Sequence, residues 1–162
     1  MTRNSVLAEL LYTKAIEMKT MPFPLFFSSK SKHRMAENFN FLQFATSCLA
    51  MPTISNHEAD RILAKLVSDF HFSNADFSDA FQNAKAFSDH SPEYQDILFL
   101  MNDILSSCMA EILRKTPDKI KLRRLCFAFH NLPRAFLSLS DHRKISPAEA
   151  ISYSTSFLIE PI

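Results

Sequence analysis

Glycine is absent from all 162 residues, and this absence constrains the fold more than any other feature of the sequence. Without glycine, a positive φ angle is costly at every turn, so type I′ hairpins, β-bulges and glycine helix caps are disfavoured. Backbone amides also cannot approach a phosphate through a glycine-rich loop. This excludes the dinucleotide-binding fingerprint, the P-loop and the kinase glycine-rich loop. The sequence therefore favours an all-α protein that lacks these nucleotide-binding motifs.

Helix start signals recur along the chain. Three segments have the pattern of a capping box, a serine followed three residues later by an acid: Ser55-x-x-Glu58, Ser73-x-x-Asp76 and Ser146-Pro147-x-Glu149. Two more place proline at the first helical position: Ser91-Pro92 and Thr116-Pro117. Helical spacing of apolar residues predicts helices over 4–19, 32–50, 56–70, 74–89, 92–115, 117–131, around 133–139 and over 147–158. We expect a single compact domain, residues 1–162, of about seven or eight helices, with 92–115 at its centre.

The segment Met21-Pro-Phe-Pro-Leu-Phe-Phe27 interrupts this helical pattern, because its two prolines cannot continue a helix. It is strongly apolar. Two interpretations stay open from the sequence: the segment packs over the helices, or it forms an exposed binding strip.

Localisation signals are also informative. Charged residues interrupt residues 1–20, so no signal peptide is expected, and no apolar run reaches the ~20 residues of a membrane span. The three cysteines, Cys48, Cys108 and Cys126, form no CxxC pair and lie among apolar helical residues. They are interpreted as reduced core side chains, which predicts a cytoplasmic protein that does not associate with membranes.

Charge is unevenly distributed, although the net charge is only +1. Residues 55–113 hold ten acids against three Lys/Arg, whereas residues 114–144 hold nine Lys/Arg against two acids. One interpretation is that both are solvated helix faces that partly pair with each other. Alternatively, the acidic segment binds a basic partner and the basic segment binds nucleic acid. The near-neutral whole and the lack of a helix-turn-helix pattern argue against nucleic acid.

No motif for catalysis or metal binding is present. The six histidines form no HExxH or HxH pattern, and no GxSxG or SxxK occurs, so neither an enzyme nor a cofactor is predicted. Asp76 and Asp79 share a helix face near a helix start, where acids typically serve the cap and the dipole. His130, followed by Leu132, resembles the phosphoacceptor site of histidine phosphotransfer domains. Pro133 departs from that pattern, and a histidine near a helix C-terminus also has a purely structural use.

The segments Leu125–Phe136 and Ile145–Tyr153 resemble small helical bacterial immunity proteins of contact-dependent toxin systems. The resemblance implies a tight, stoichiometric protein partner, and immunity proteins of basic nuclease toxins are often acidic on the binding face. We therefore expect a non-enzymatic protein-binding module whose acidic helical surface covers a basic toxin. The residues expected to bind it are Glu58, Asp60, Asp69, Phe72, Asp76, Asp79 and Asp89. Phosphotransfer through His130 and nucleic-acid binding through residues 114–144 are the alternatives.

Overall fold

The computed structural model describes residues 3–50 and 92–158, and these residues contain helices and no strand. The elements are α1 (Arg3–Thr20), α2 (Ser29–Ala50), α3 (Pro92–Ile112), α4 (Lys119–His130), a 3-10 helix (Pro133–Phe136) and α5 (Pro147–Leu158). The all-α prediction is confirmed for this part of the chain. The predicted total of seven or eight helices is not confirmed, because the helices predicted over 56–70 and 74–89 lie outside the described residues. No described helix is both long enough and apolar enough to cross a bilayer.

Helix α3 lies against α2, α4 and α5, in agreement with the central position predicted for it. Its apolar stripe is buried at helical spacing: Ile97, Leu98, Met101, Ile104, Leu105, Cys108 and Ile112. Side chains from all the described helices join this stripe in one hydrophobic cluster. Cys108 and Cys126 are buried free thiols within it, as predicted. Burial of these apolar side chains is the main force that holds the helices together.

The helix starts follow the predicted signals at two places and differ at a third. Helix α3 begins at Pro92, and the Glu149 amide donates to Ser146 Oγ at 3.1 Å, as a capping box requires. The prediction that Thr116 and Pro117 open the next helix is wrong. Asp118 is the N-cap instead: its backbone is extended, and its carboxylate accepts the amides of Ile120 and Lys121 at 3.0 and 3.1 Å.

The apolar segment between α1 and α2 is partly packed against the helices and partly exposed, and its use as a binding strip stays a prediction. Phe23 and Phe27 are half-buried, pack against the hydrophobic cluster and lie 5.8 Å apart between ring centroids. Leu25 and Phe26 are 80% and 83% exposed. The segment therefore covers the helices with two of its rings and presents its tip to solvent.

Five basic side chains donate hydrogen bonds to backbone carbonyl groups of other segments of the chain. We call them the carbonyl-binding cations: Lys32, Lys119, Arg123, Arg134 and Lys144. Lys32 donates to Arg114 O at 2.7 Å and to Lys115 O at 3.3 Å, just beyond the end of α3. Arg123 donates to Lys19 O at 2.6 Å, in the last turn of α1. The last carbonyls of a helix lack partners within the helix. In a chain without glycine caps, three of these side chains, Lys32, Arg123 and Lys144, satisfy carbonyls at or near helix ends.

Candidate functional site

An open groove runs along the outer face of α4, between the 21–28 segment and α5. Its volume is about 520 Å³. The lining residues are Phe23, Lys119, Ile120, Arg123, Arg124, Phe127 and Phe157. We call this feature the α4 groove.

Helical periodicity explains why α4 presents this face. Leu122, Leu125, Cys126 and Phe129 point inward and are buried. Successive residues of a helix are rotated by about 100° about its axis. Around α4, the side chains that line the groove therefore follow one another in this order: Lys119, Arg123, Phe127, Ile120 and Arg124. Apolar side chains therefore occupy the middle of the exposed face. Lys119 and Arg123 form one cationic edge, and Arg124 forms the other.

The first cationic edge is fixed by contacts with aromatic rings. The Arg123 guanidinium carbon lies 3.9 Å from the centroid of the Phe23 ring, and Lys119 Nζ lies 5.7 Å from that of Phe27. Both distances fall within the range of a cation–π interaction. Because Arg123 also binds Lys19 O and Lys119 binds Leu25 O, these two cations attach the 21–28 segment to α4. The 21–28 segment, which forms one wall of the groove, is therefore held against α4 by these contacts.

The charges of these cations are not neutralised by the contacts that hold them, because carbonyl oxygens and aromatic rings carry no net charge. Within residues 3–50 and 92–158, no carboxylate lies within ion-pair distance of Lys119, Arg123 or Arg124. The groove therefore combines a positive field with an apolar floor. Such a surface attracts ligands that carry negative charge.

The floor exposes apolar surface to solvent. Ile120 is 70% exposed, and the half-buried rings of Phe127 and Phe157 pack together with centroids 5.5 Å apart. Beside the groove, the exposed Leu25 and Phe26 lie on the segment that Lys119 binds. Exposed apolar side chains clustered in one region are typical of interaction sites.

His130 lies at the end of α4, next to the groove. Its Nδ1–H donates to Phe127 O at 2.7 Å, which leaves Nε2 as an acceptor facing Lys19 Nζ at 3.4 Å. Burial lowers the pKa of His130, and the nearby Lys19 and Arg134 lower it further. Both ring nitrogens are thus engaged with neighbouring groups. This arrangement favours the structural interpretation of His130 over a phosphoacceptor, whose reactive nitrogen has to be accessible.

The basic segment 114–144 does not form one continuous face. Arg143 pairs with Glu9 at 2.6 Å and with Asp141 at 2.7 Å, and this guanidinium lowers the pKa of Asp141 to about 2. Arg134 donates to Arg143 O, and Lys144 donates to Ala135 O in the 3-10 helix. Those cations hold the chain between α4 and α5, whereas Lys119, Arg123 and Arg124 line the groove.

All seven residues predicted to bind the toxin lie outside the described residues: Glu58, Asp60, Asp69, Phe72, Asp76, Asp79 and Asp89. Of the acids counted in residues 55–113, Glu111 is described and is not a surface residue. It is 3% exposed and accepts hydrogen bonds from Arg114 Nη1 at 2.9 Å and from the Asp118 amide at 2.8 Å. Glu111 therefore does not contribute to an exposed acidic face. Glu93, Asp96 and Asp103 are exposed on α3.

Comparison with known proteins finds no matching family model, curated protein or solved structure. Function has to be argued from the site itself. In the described part of the chain, no group of three or more His, Cys, Asp or Glu side chains is placed to hold a metal ion. The α4 groove is the candidate site, because it brings cations and apolar side chains together on one exposed face. Sequence reasoning missed it, although basic and aromatic residues recur four apart at Lys119, Arg123 and Phe127.

Proposed function

We propose that the protein is a non-enzymatic module that binds another protein through the α4 groove. The observation that carries this proposal is the apolar floor between two cationic edges, formed by the exposed Ile120 and the half-buried Phe127 and Phe157. Apolar surface supplies most of the free energy of association, and uncompensated charge at its rim speeds association and selects the partner. The groove is fixed in advance by the contacts of Arg123 and Lys119, so little conformational entropy is lost on binding.

A finer version of this proposal is an immunity protein that neutralises a toxin. It is supported by the resemblance of residues 125–136 and 145–153, which lie along α4, the 3-10 helix and α5, beside the groove. Its acidic binding set lies in residues 58–89 and stays a prediction. The α4 groove and the predicted acidic set favour partners of opposite charge. The groove favours an acidic segment, and the acidic set favours a basic one.

Co-purification from the native host with matched variants tests the proposal. Ile120→Asp places a charge on the groove floor. It also adds an acid to the first turn of α4, where negative charge is favourable, so the variant is expected to fold. Leu139→Asp is the control, because Leu139 is 91% exposed and does not line the groove. Recovery of one stoichiometric protein with wild type and Leu139→Asp, but not with Ile120→Asp, is the expected result. Equal recovery with both variants would refute a role for the groove.

The toxin version has its own test. Charge reversal at Asp69, Asp76 and Asp79 is compared with Ile120→Asp for partner association rate and its dependence on salt. A slower and less salt-sensitive association of the charge-reversed protein alone would assign binding to the acidic set. Unchanged association kinetics would refute binding through the acidic set and leave the α4 groove as the candidate surface.

A further inference from the structure

We infer that the occupant of the α4 groove is an acidic amphipathic helix of the partner protein, with apolar side chains on the groove floor and carboxylates along both edges. This inference rests on the proposed function, and it specifies the chemistry of the segment that binds.

The length of the groove fits two turns of helix. Lys119 and Phe127 are eight residues apart on α4, which corresponds to about 12 Å. A helix lying along this strip presents apolar side chains at positions i, i+3 or i+4, and i+7, the usual anchors of helix-in-groove recognition. The floor of Ile120, Phe127 and Phe157 matches such a ridge.

The charges select an acidic helix. Because Lys119 and Arg123 lie on one side of the floor and Arg124 on the other, a bound helix meets cations on both flanks of its apolar ridge. Acidic residues beside that ridge complement both edges, whereas basic residues would be repelled. A helix also satisfies its own backbone hydrogen bonds, so it needs none from the groove. Addition of a β-strand requires a sheet edge, and the described elements include no strand.

The state of the rings argues against single-stranded nucleic acid, the other ligand that joins negative charge to flat apolar groups. Binding of that kind relies on open aromatic faces on which bases stack. Here Arg123 lies over Phe23 and Lys119 lies near Phe27. Phe127 is contacted by Lys19 Nζ at 5.2 Å and by the Phe157 ring. Cations and a neighbouring ring therefore already contact these rings, which makes them poorly suited to stacking with bases.

A peptide selection tests the inference. Random 16-residue peptides displayed on phage are selected on the immobilised wild-type protein after depletion on Ile120→Asp. Enriched peptides are synthesised with a fluorescent label, and their Kd is measured by anisotropy. We expect Asp or Glu beside apolar residues at helical spacing, and helical circular dichroism on binding. We also expect Arg124→Glu to weaken binding by about tenfold.

Matched controls separate the groove from general charge. Lys115→Glu makes the same charge reversal at an exposed residue that does not line the groove, and it should leave the Kd within about twofold. Changing one flanking Glu of the peptide to Lys should recover binding to Arg124→Glu while weakening binding to wild type. A labelled oligo(dT) of 16 nucleotides is the probe for nucleic acid and should bind more weakly than the selected peptides.

Several results would overturn the inference: enrichment of neutral or basic peptides, equal losses for Arg124→Glu and Lys115→Glu, or tighter binding of oligo(dT). These results can be distinguished from failure of the proposed function. If co-purification depends on Ile120 but the selected peptides are not acidic helices, a protein still binds the groove and only its chemistry was misassigned. If no host protein depends on Ile120, the proposed function itself fails.

Discussion

Glu111 is the residue whose replacement tests the structure most directly. Its carboxylate is 3% exposed, accepts two bonds from Arg114 Nη1 at 2.9 and 3.2 Å, and accepts the Asp118 amide at 2.8 Å. Lys121 Nζ lies 4.0 Å away. This one side chain therefore joins the end of α3 to the N-cap of α4. We predict that Glu111→Ala strongly destabilises the fold.

The magnitude follows from the partners. Breaking a buried ion pair costs about 3–5 kcal/mol. Arg114 is 60% exposed and regains water when its partner is lost, so the lower half of that range applies. Since the Asp118 amide loses its carboxylate acceptor, we expect a loss of about 3 kcal/mol in the free energy of unfolding. For a chain of this size, each 1 kcal/mol lowers Tm by about 2–4 °C. The expected decrease in Tm is therefore about 6–12 °C.

Urea unfolding followed by circular dichroism at 222 nm, together with thermal unfolding, measures this effect. Glu111→Gln should lie between wild type and Glu111→Ala, because its amide oxygen can still accept the Asp118 amide. Asp103→Ala, an exposed acid on the same helix, is the control and should change stability by less than about 0.5 kcal/mol. If Glu111→Ala is no more destabilising than Asp103→Ala, the junction between α3 and α4 does not depend on this carboxylate.

Three further predictions concern stability. Because the pKa of His130 is lowered in the folded protein, the unfolded chain binds more protons, and the free energy of unfolding should fall as the pH drops below 6.5. Urea titrations at pH 7.5 and 5.5 should show a smaller pH dependence in His130→Gln than in wild type. Asp118→Ala removes the N-cap of α4 and should cost about 1 kcal/mol, whereas an unchanged urea midpoint would contradict the cap. Ser154 Oγ is buried and has no hydrogen-bond partner among the residues that the structure describes. Ser154→Ala should therefore raise stability by about 1 kcal/mol, and a lower Tm would show that the hydroxyl is satisfied.

The predicted helices agree with the structure where the signal is local. Apolar spacing and Pro92 predict α3, and Ser146 predicts the start of α5, because capping and periodicity depend on residues within one or two turns. Thr116-Pro117 predicts a helix start that the structure places two residues later, at Asp118 and Lys119. The nearby Asp118 is a better cap acceptor, and Glu111 holds its amide from seven residues away.

The candidate site could not be predicted in the same way, because its walls come from distant parts of the chain. The groove exists where Arg123 meets Phe23 and where Phe127 meets Phe157, and no spacing rule links these pairs. Counting charges along the chain also treated Arg143 and Arg124 alike. The first is engaged by two carboxylates, and the second lines the groove. Only packing separates a cation that is paired with carboxylates, such as Arg143, from one that lines the groove, such as Arg124.

The carbonyl-binding cations have a consequence for engineering. Surface lysines and arginines are usually the first positions changed when a protein is recharged for solubility, since such changes are close to neutral for folding. Here Lys32, Lys144 and Arg134 carry surface charge and also complete helix ends and turns. Redesign of the surface charge would therefore loosen helix junctions, and a recharged variant would have to leave these positions untouched or supply new caps.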